Sequence, residues 1–517
     1  MTRSAPKRKR PAKKAKSSRK PESTPARVTQ DSEPRPLSPW AWSVLPMLLV
    51  AIGISTEPVR YLQAWNGPPA PGLADLKPLP TPPGDAPGLV MLLIDGLGAT
   101  PSRRLTKLKA LREEGADVTL TAVYPSKSRP AYVTMLTGLP PVLHGARNNR
   151  TPGGHGLDTF LARAKDAGLA TACVGDRIDW FAELAEGGCQ TAKTTRSDQN
   201  FIQAAADALA SPAKVVVLHW LGVDWMGHEH GGASGQYGAA ARDADALVGL
   251  VASQARGRVV AIVADHGHSA HGGHGGDERV VTEVPLVLKG PGVRVGVQVR
   301  GEAHQLASTL ATLAGIAVPA ASVGRPIWEA LDPKLKAAKQ DHANAIYARA
   351  SKLTHPPAAD AGPLVRLLAA LALIIALLFR RIPWAVVGAL TPLCAVVLLI
   401  GRGDPLTLSA VDLAPRFISR LLGYSGPAAI MGAVVLVRSA YARPVGDRAR
   451  DASIKALAYA AGAAGPWLAA AAWAGFRPYP ELPTAVAGFL PVALAIPAVL
   501  GLFSAAVCIP IAAWGDG

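Results

Sequence analysis

The sequence predicts an α/β protein with a mostly parallel sheet covered by helices, followed by an α-helical transmembrane C-terminal part. Apolar runs rich in β-branched residues begin at Val90, Val118, Thr171, Val215 and Val259. Helical patterns separate these runs, at 105–114, 129–137 and 239–254. Such alternation is typical of βαβ units in a parallel sheet. Aliphatic residues are densest after residue 363, which indicates the membrane part.

Residues 1–38 are predicted to form a disordered, basic, cytoplasmic tail. Lysine and arginine far outnumber acidic residues there and supply much of the formal net charge of +17. Low hydrophobicity with charge of one sign prevents a packed core. A basic tail beside a membrane helix is retained in the cytoplasm, so we expect no specific nucleic-acid partner. Binding of RNA or anionic lipid by the tail is the alternative.

Residues 39–57 are predicted to be an N-terminal transmembrane anchor. The segment is apolar, and Trp40 and Trp42 lie at its edge, where aromatic residues meet the membrane interface. A cleaved signal peptide is the alternative, but the long preceding tail and the lack of a clear cleavage site favour an uncleaved anchor. Residues 58–87 are rich in proline and glycine and are predicted to be a linker.

The rest of the chain divides into a folded domain at 88–330, a polar and proline-rich linker at 331–362, and about five spans within 363–517. The apolar blocks are 364–379, 384–400, 426–437, 456–474 and 483–514. The last block is long enough for one kinked helix or a tight hairpin. Loop charges favour a multi-pass cell-membrane protein with a cytoplasmic N-terminus and the folded domain in the periplasm or outside the cell.

Three predicted strands end in residues that bind divalent metals. Asp95 follows the first strand, the stretch GVDWMGH at 222–228 supplies Asp224 and His228, and DHG at 265–267 is followed by a glycine-rich run with His274. Side chains at strand ends lie where α/β folds bind their ligands. Carboxylates and imidazoles delivered there together predict a pair of metal ions and phosphoester chemistry.

Ser128 lies at the start of a predicted helix, with Pro130 just inside it. The backbone N–H groups and the dipole of a helix N-terminus favour an anion, so this serine is a candidate nucleophile for a phosphoryl group. A serine at this position can also simply cap the helix.

The four cysteines form no CxxC motif and do not suggest a thiolate metal site. Cys173 and Cys189 lie in the folded domain, where a disulfide and two free buried thiols both remain open. Cys394 and Cys508 lie in apolar segments.

Residues 88–327 resemble the alkaline phosphatase superfamily, in its type I phosphodiesterase/nucleotide pyrophosphatase branch, and most closely the GPI ethanolamine-phosphate transferases. The family stretch P-T-x-S-R-P-G-H is similar to PSKSRPAY at 125–132, and L-H-x-x-G-x-D-x-x-G-H is similar to LHWLGVDWMGH at 218–228. D-H-G-M-x-x-x-G-x-H-G is similar to DHGHSAHGGHG at 265–275. The membrane half matches only in layout.

The resemblance implies that 88–330 is a metal-dependent catalytic domain. It implies that one metal is held by Asp95, Ser128, Asp265 and His266, with Ser128 as the nucleophile. The second metal would be held by Asp224, His228 and His274. The mixed ligands favour zinc, with manganese as the alternative. Four further histidines are expected to lie around these ligands or in solvent: His219, His230, His268 and His271.

The predicted function is transfer of a phospho-alcohol such as phosphoethanolamine from a membrane-lipid donor to a glycan or lipid acceptor, through a phosphoserine-type intermediate. A phosphodiesterase or nucleotide pyrophosphatase that uses water has the same residues and is the alternative. A non-catalytic membrane scaffold is the remote alternative, which the complete ligand set argues against. The oligomeric state is not encoded in any pattern of the sequence.

Overall fold

The computed structural model describes residues 43–63, 66–80, 86–150, 156–176, 178–185, 187–194, 198–352, 382–402, 407–412, 414–474 and 485–514. The predicted basic tail and the predicted span at 364–379 lie outside these residues.

Within the described residues, an eight-stranded sheet forms the centre of the first half of the chain. The strands are β1 (Leu89–Ile94), β2 (Ala116–Thr121), β3 (Thr171–Gly175), β4 (Thr191–Thr194), β5 (Val215–Trp220), β6 (Val259–Val263), β7 (Glu283–Lys289) and β8 (Val297–Glu302). Their order is β4-β3-β5-β1-β6-β7-β2-β8. Only β7 runs antiparallel to its neighbours, β6 and β2. The prediction of a mostly parallel sheet is confirmed.

The central strands β1, β5 and β6 are buried along their whole length. Helices must therefore cover both faces of the sheet, which explains why these strands read as unbroken apolar runs. The helices are α1 (Val44–Gln63), α2 (Ala99–Ser102), α3 (Thr106–Glu113), α4 (Ser128–Thr137), α5 (Pro141–His144), α6 (Phe160–Asp166), α7 (Ile178–Leu184), α8 (Asp198–Ala210), α9 (Gly222–His230), α10 (Gly235–Gln254), α11 (Arg279–Thr282), α12 (Leu306–Leu313) and α13 (Pro333–Ala350). Short 3₁₀ turns are formed by Ala303–Gln305 and Trp328–Ala330.

The prediction of a linker at 331–362 is wrong over its first half, which forms α13. The Asp332 side chain accepts a hydrogen bond from Lys334 N (2.7 Å), and proline occupies the first turn, so the helix has a strong start. Ile346 is buried in the core of the domain. The polar sequence of this helix reflects its mostly exposed surface rather than a lack of structure.

The boundaries of the predicted anchor and the following linker also shift. Helix α1 continues to Gln63, beyond the predicted end at residue 57. Within the predicted linker, Ala70 N donates to Leu143 O (2.7 Å), and Ala70 and Leu73 are buried in the core of the domain. The proline-rich segment is therefore packed against the sheet-containing domain at 66–80, because its few apolar residues find a place in that core.

The second half of the described chain is helical. Its helices are α14 (Ile382–Gly401), α15 (Leu408–Asp412), α16 (Ala414–Tyr441), α17 (Arg448–Ala474) and α18 (Ala485–Ala513), with a 3₁₀ turn at Val445–Asp447. Among the described residues, three stretches are long and apolar enough to cross a membrane: Ile382–Gly401, Arg416–Tyr441 and Val492–Ala512. The block at 483–514 is one helix over its described residues and not a hairpin.

Cys173 and Cys189 form a disulfide with an S–S distance of 2.07 Å. Cys173 lies in β3, and Cys189 precedes the edge strand β4, which pairs with β3. The bond therefore joins the chain on either side of α7 at one edge of the sheet. Of the two alternatives left open by the sequence, the structure has the disulfide, while Cys394 and Cys508 are free.

Candidate metal centre

The candidate ligands meet because three neighbouring parallel strands end at the same edge of the sheet. Strand β1 lies between β5 and β6, and each of the three leads directly into a predicted ligand segment. Gly96, which follows Asp95, has φ of +78°, and a Cβ atom there would lie 2.7 Å from Cα of Asp224. A glycine is thus required for β1 to approach the start of α9 this closely.

Asp95, Asp265 and His266 form the first ligand set, and all three are fully buried. His266 Nε2 lies 3.5 Å from Asp95 Oδ1 and 3.3 Å from Asp265 Oδ2. Ligand atoms bound at 2.0–2.2 Å to one tetrahedral ion stand roughly 3.4 Å apart, so these three atoms are spaced for a metal. Asp95 Oδ1 and Asp265 Oδ2 accept no hydrogen bond from any described residue. Buried carboxylate oxygens of this kind fit a bound cation.

The electrostatics of the first set also favour a cation. Burial raises the pKa of Asp265 well above its usual range, and the nearby Asp95 carboxylate raises it further. Burial opposes ionisation of Asp95 as well, but the hydrogen bond from His219 and the nearby imidazoles hold its pKa below the ordinary value. Burial lowers the pKa of His266, which keeps its ring neutral and able to bind a metal.

The second set consists of Asp224, His228 and His274. His228 Nε2 lies 3.4 Å from Asp224 Oδ1 and 3.2 Å from His274 Nε2. Asp224 and His228 are one turn apart on α9, which aims both side chains at one point. His274 Nδ1 donates to Ser126 O (2.7 Å), so its Nε2 faces the other two ligands. A backbone carbonyl commonly orients a metal-binding imidazole in this way.

Ser128 is the first residue of α4 and lies at the edge of the first set. Its Oγ is 3.3 Å from His266 Nε2, and its side chain is buried. Asn149 Oδ1 accepts a hydrogen bond from Arg129 N (3.1 Å), which brings an amide side chain to this helix N-terminus. The N-terminal backbone N–H groups suit a phosphoryl oxygen. No cap from the Ser128 side chain is formed, because Lys127 is the N-cap residue.

All seven predicted residues thus lie in one centre, and their roles as ligands and nucleophile stay predictions. The two sets match the donor chemistry of divalent metals: each has three oxygen or imidazole ligands whose atoms lie within 4.8 Å of one another. Ser128 Oγ and Asp265 Oδ2 each lie 3.3 Å from His266 Nε2, so a phosphoryl group at the Ser128 hydroxyl would lie next to the first set.

Two residues lie behind the first set: Tyr132, which was not predicted as functional although it lies in a motif noted above, and His219, one of the four histidines expected around the ligands or in solvent. The Tyr132 hydroxyl donates to Asp95, and it lies 2.8 Å from His219 Nε2. Both side chains are fully buried. Together they fix the orientation of the Asp95 carboxylate. Tyr132 is four residues beyond Ser128 on α4, so one helix turn supplies both the candidate nucleophile and the residue that holds Asp95.

His268 lies around the ligands, which was one of the two places expected for it. Its Nε2 is 2.9 Å from Asp224 Oδ1, and the side chain is buried. With Asp224 and His266 it forms a third group whose ligand atoms are close together. His230 and His271 lie farther out, at partly or fully exposed positions.

Comparisons with known proteins agree with this geometry. Residues 89–166 match the family model "Type I phosphodiesterase / nucleotide pyrophosphatase", and residues 180–318 match the model "Metalloenzyme superfamily". The first match contains Asp95 and Ser128, and the second contains the other five predicted residues. Both matches lie within the sheet-containing domain, which resembles the alkaline phosphatase superfamily. The predicted resemblance is therefore confirmed, and the matches support metal-assisted phosphoryl transfer as the chemistry of this domain.

Among curated proteins, the human "GPI ethanolamine phosphate transferase 3, catalytic subunit" is 29% identical over 121 residues. The match covers 22% of this chain and only 11% of that relative. Among solved structures, murine ectonucleotide pyrophosphatase/phosphodiesterase 5, in an inactive form in complex with AMP, aligns with 13% identity and a TM-score of 0.37. That alignment covers 45% of this chain and 96% of the murine chain. The human counterpart gives 13% identity and a TM-score of 0.36, over 44% and 95% of the two chains.

Proposed function

We propose that this chain transfers a phospho-alcohol such as phosphoethanolamine from a lipid donor to a glycan or lipid acceptor, with Ser128 as the nucleophile. The observation that carries the proposal is the position of the Ser128 hydroxyl, at a helix N-terminus and 3.3 Å from His266 of the first set. A hydroxyl placed there can attack a phosphorus atom whose oxygens face the helix N–H groups.

The reaction balances in two displacements at phosphorus. Ser128 Oγ loses its proton and forms a bond to phosphorus, the bond from phosphorus to the donor alcohol oxygen breaks, and that oxygen takes up a proton. The acceptor hydroxyl then loses its proton as its oxygen attacks phosphorus, the bond from phosphorus to Ser128 Oγ breaks, and Ser128 Oγ takes up a proton. Two divalent ions, zinc or alternatively manganese, would lower the pKa of the Ser128 hydroxyl and neutralise charge on the phosphoryl oxygens.

A lipid donor is supported by the contact between the domain and the helical half of the chain. Arg416 Nη1, near the start of α16, donates to His228 O (3.4 Å) and Glu229 O (3.3 Å). The second set therefore lies beside the end of a helix that is long and apolar enough to cross a bilayer. The name of the human relative agrees with ethanolamine phosphate as the group transferred.

We further propose that the domain faces the periplasm or the cell exterior in a multi-pass membrane protein. The disulfide between Cys173 and Cys189 fits an oxidising compartment. At the far end of α16, Arg438 lies in its last turn, Arg443 follows the helix and Arg448 begins α17, and such clusters of basic residues are typical of the cytoplasmic side. The domain contacts the opposite end of that helix, through Arg416.

The test uses the purified full-length protein in nanodiscs that contain phosphatidylethanolamine with a radiolabelled headgroup. With a short alkyl mannoside as acceptor, we expect diacylglycerol and a labelled mannoside, both absent with Ser128→Ala. Release of free phosphoethanolamine without labelled acceptor would establish the hydrolase alternative instead. Absence of diacylglycerol, together with no Ser128-dependent cleavage of bis(4-nitrophenyl) phosphate, would contradict both enzymatic functions.

A further inference from the structure

The segment that leads into α16 makes buried hydrogen bonds to the glycine-rich run that follows His274. The hydroxyls of Thr407 and Ser409 both donate to the Glu278 carboxylate, the latter over 2.9 Å. Ser409 Oγ also accepts a hydrogen bond from Gly276 N (3.0 Å). Ser409 is fully buried and Thr407 nearly so. These contacts attach the helical half of the chain directly to the loop of a candidate ligand.

The close packing at Gly276 shows that this contact depends on the sequence. A Cβ atom at Gly276 would lie 2.1 Å from Glu278 Oε2 and 2.6 Å from Thr407 Oγ1. Only glycine lets the backbone N–H approach Ser409 while the carboxylate occupies the adjacent space.

The hydrogen bonds continue from this contact to the ring of His274. Ser126 Oγ donates to Gly276 O (2.7 Å) and accepts from Gly275 N (3.0 Å). The Ser126 carbonyl in turn accepts the hydrogen bond from His274 Nδ1. A continuous hydrogen-bonded path therefore runs from Ser409 to the imidazole of the second set.

The other side of the second set is held by Arg416. Its guanidinium donates to the carbonyls of His228 and Glu229, at the C-terminal end of α9. The last carbonyls of a helix have no partners within the helix, and a cation is favourable there. Thr407, Ser409 and Arg416 thus contact both parts of the chain that carry histidines of the second set, the end of α9 and the loop after β6.

We propose that Thr407, Ser409 and Arg416 are positioning residues for the second metal, so that the membrane half of the chain completes this site in cis. The first set depends on contacts within the domain, from Gly96 N to Asp265 Oδ1 and from Tyr132 to Asp95. Loss of the membrane-side contacts therefore affects one metal and not the other. This inference rests on the metal sites of the proposed function, but it is tested by binding and requires no turnover.

The experiment is a Zn²⁺ titration of the metal-depleted full-length protein in detergent, in competition with a chromogenic chelator. Asp95→Asn and Asp224→Asn assign the two binding events to the first and second sets. The test variants are the double variant Thr407→Val/Ser409→Ala and, separately, Arg416→Gln. Arg402→Gln is the matched control, because Arg402 lies over the Tyr424 ring within the helical half.

We expect the double variant to bind the second ion about 10- to 100-fold more weakly, with the affinity for the first ion unchanged. Thr407→Ser, which keeps the hydroxyl, is expected to retain the affinity of the parent protein. Arg416→Gln should act on the same ion in the same direction, and it gives an independent reading if the double variant folds poorly. Unchanged affinities in both test variants would overturn the proposal. An equal loss at both ions, together with a lower melting temperature, would overturn it too, because that pattern indicates a general structural role.

Discussion

The imidazole rings of His266 and His274 stack almost in parallel, with centroids 3.7 Å apart and an interplanar angle of 11°. His266 belongs to the first ligand set and His274 to the second, so this pair of stacked rings connects the two candidate metal positions. The stack also brings Ser128, which lies beside His266, close to both sets. A substrate phosphoryl group at the serine can therefore face two ions at once, as two-metal phosphoryl transfer requires.

Replacing the candidate nucleophile separates chemistry from metal binding. We expect Ser128→Ala to lower kcat/KM on a chromogenic phosphodiester by about 10³-fold or more, because no other hydroxyl occupies the start of α4. Ser126→Ala is the matched control. It removes the hydroxyl bonded to Gly276 O and weakens activity through His274, by about 10- to 100-fold. Equal activity losses in the two variants would contradict the assignment of Ser128.

Removing one hydroxyl behind the first set should weaken that metal alone. Tyr132→Phe deletes the donor to Asp95 while keeping the buried ring. We expect the first ion to bind about 10- to 100-fold more weakly, and the protein to lose about 1–3 kcal/mol of unfolding free energy. Metal titration and denaturant unfolding measure the two effects. A variant with the parent's affinity for the first ion would show that Tyr132 does not orient Asp95.

Metal binding to the first set should release protons and weaken as the pH falls. Burial and the Asp95 carboxylate raise the pKa of Asp265, so this group holds its proton to higher pH in the metal-free protein. The ion must displace that proton, whereas the lowered pKa of His266 leaves its ring already neutral. Below the raised Asp265 pKa, affinity is expected to fall about tenfold per pH unit. Calorimetry in buffers of different ionisation enthalpy measures how many protons are released when the metal binds. If no proton is released at pH values below the raised Asp265 pKa, the prediction is wrong.

The disulfide is expected to stabilise the domain without taking part in the chemistry. Cys173 and Cys189 are 16 residues apart, and closing a loop of that size contributes about 3 kcal/mol. The double variant Cys173→Ser/Cys189→Ser should unfold at a lower temperature while binding both ions normally. Cys394→Ser, at a free cysteine of α14, serves as the control. A double variant as stable as the parent protein would show that the bond is dispensable for stability.

The sheet, and the strand ends that carry the candidate ligands, could be predicted because each is marked by a short continuous stretch of sequence. Strands β1, β5 and β6 are unbroken apolar runs, and a polar ligand segment follows each of them. Three strands were missed. β4 is only four residues long at the edge, β8 alternates between exposed and half-buried positions before its end, and β7 is a buried run interrupted by Pro285, which argues against a strand within a sheet. Helix α13 was missed because its surface is mostly polar, which leaves the Asp332 cap, the proline after it and a few apolar residues such as Ile346 as its local signals.

The supporting residues of the site could not be predicted because their roles arise from contacts distant in sequence. Glu278 meets Ser409 across 131 residues, and Tyr132 meets His219 across 87. A tyrosine or a glutamate alone carries no pattern that names such a partner. His268 was expected around the ligands or in solvent, but its partner Asp224 could not be predicted, because that contact depends on how the loop after β6 folds over α9.

The most direct measurement of the central claim is mass spectrometry of the full-length protein, quenched in acid during turnover of a phosphodiester lipid. The account predicts one new phosphoryl adduct, carrying the transferred group, on the peptide that contains Ser128. The adduct should be absent from Ser128→Ala and should disappear when acceptor alcohol is added before the quench. Turnover at the normal rate with no adduct, or with an adduct on a different residue, would contradict the account.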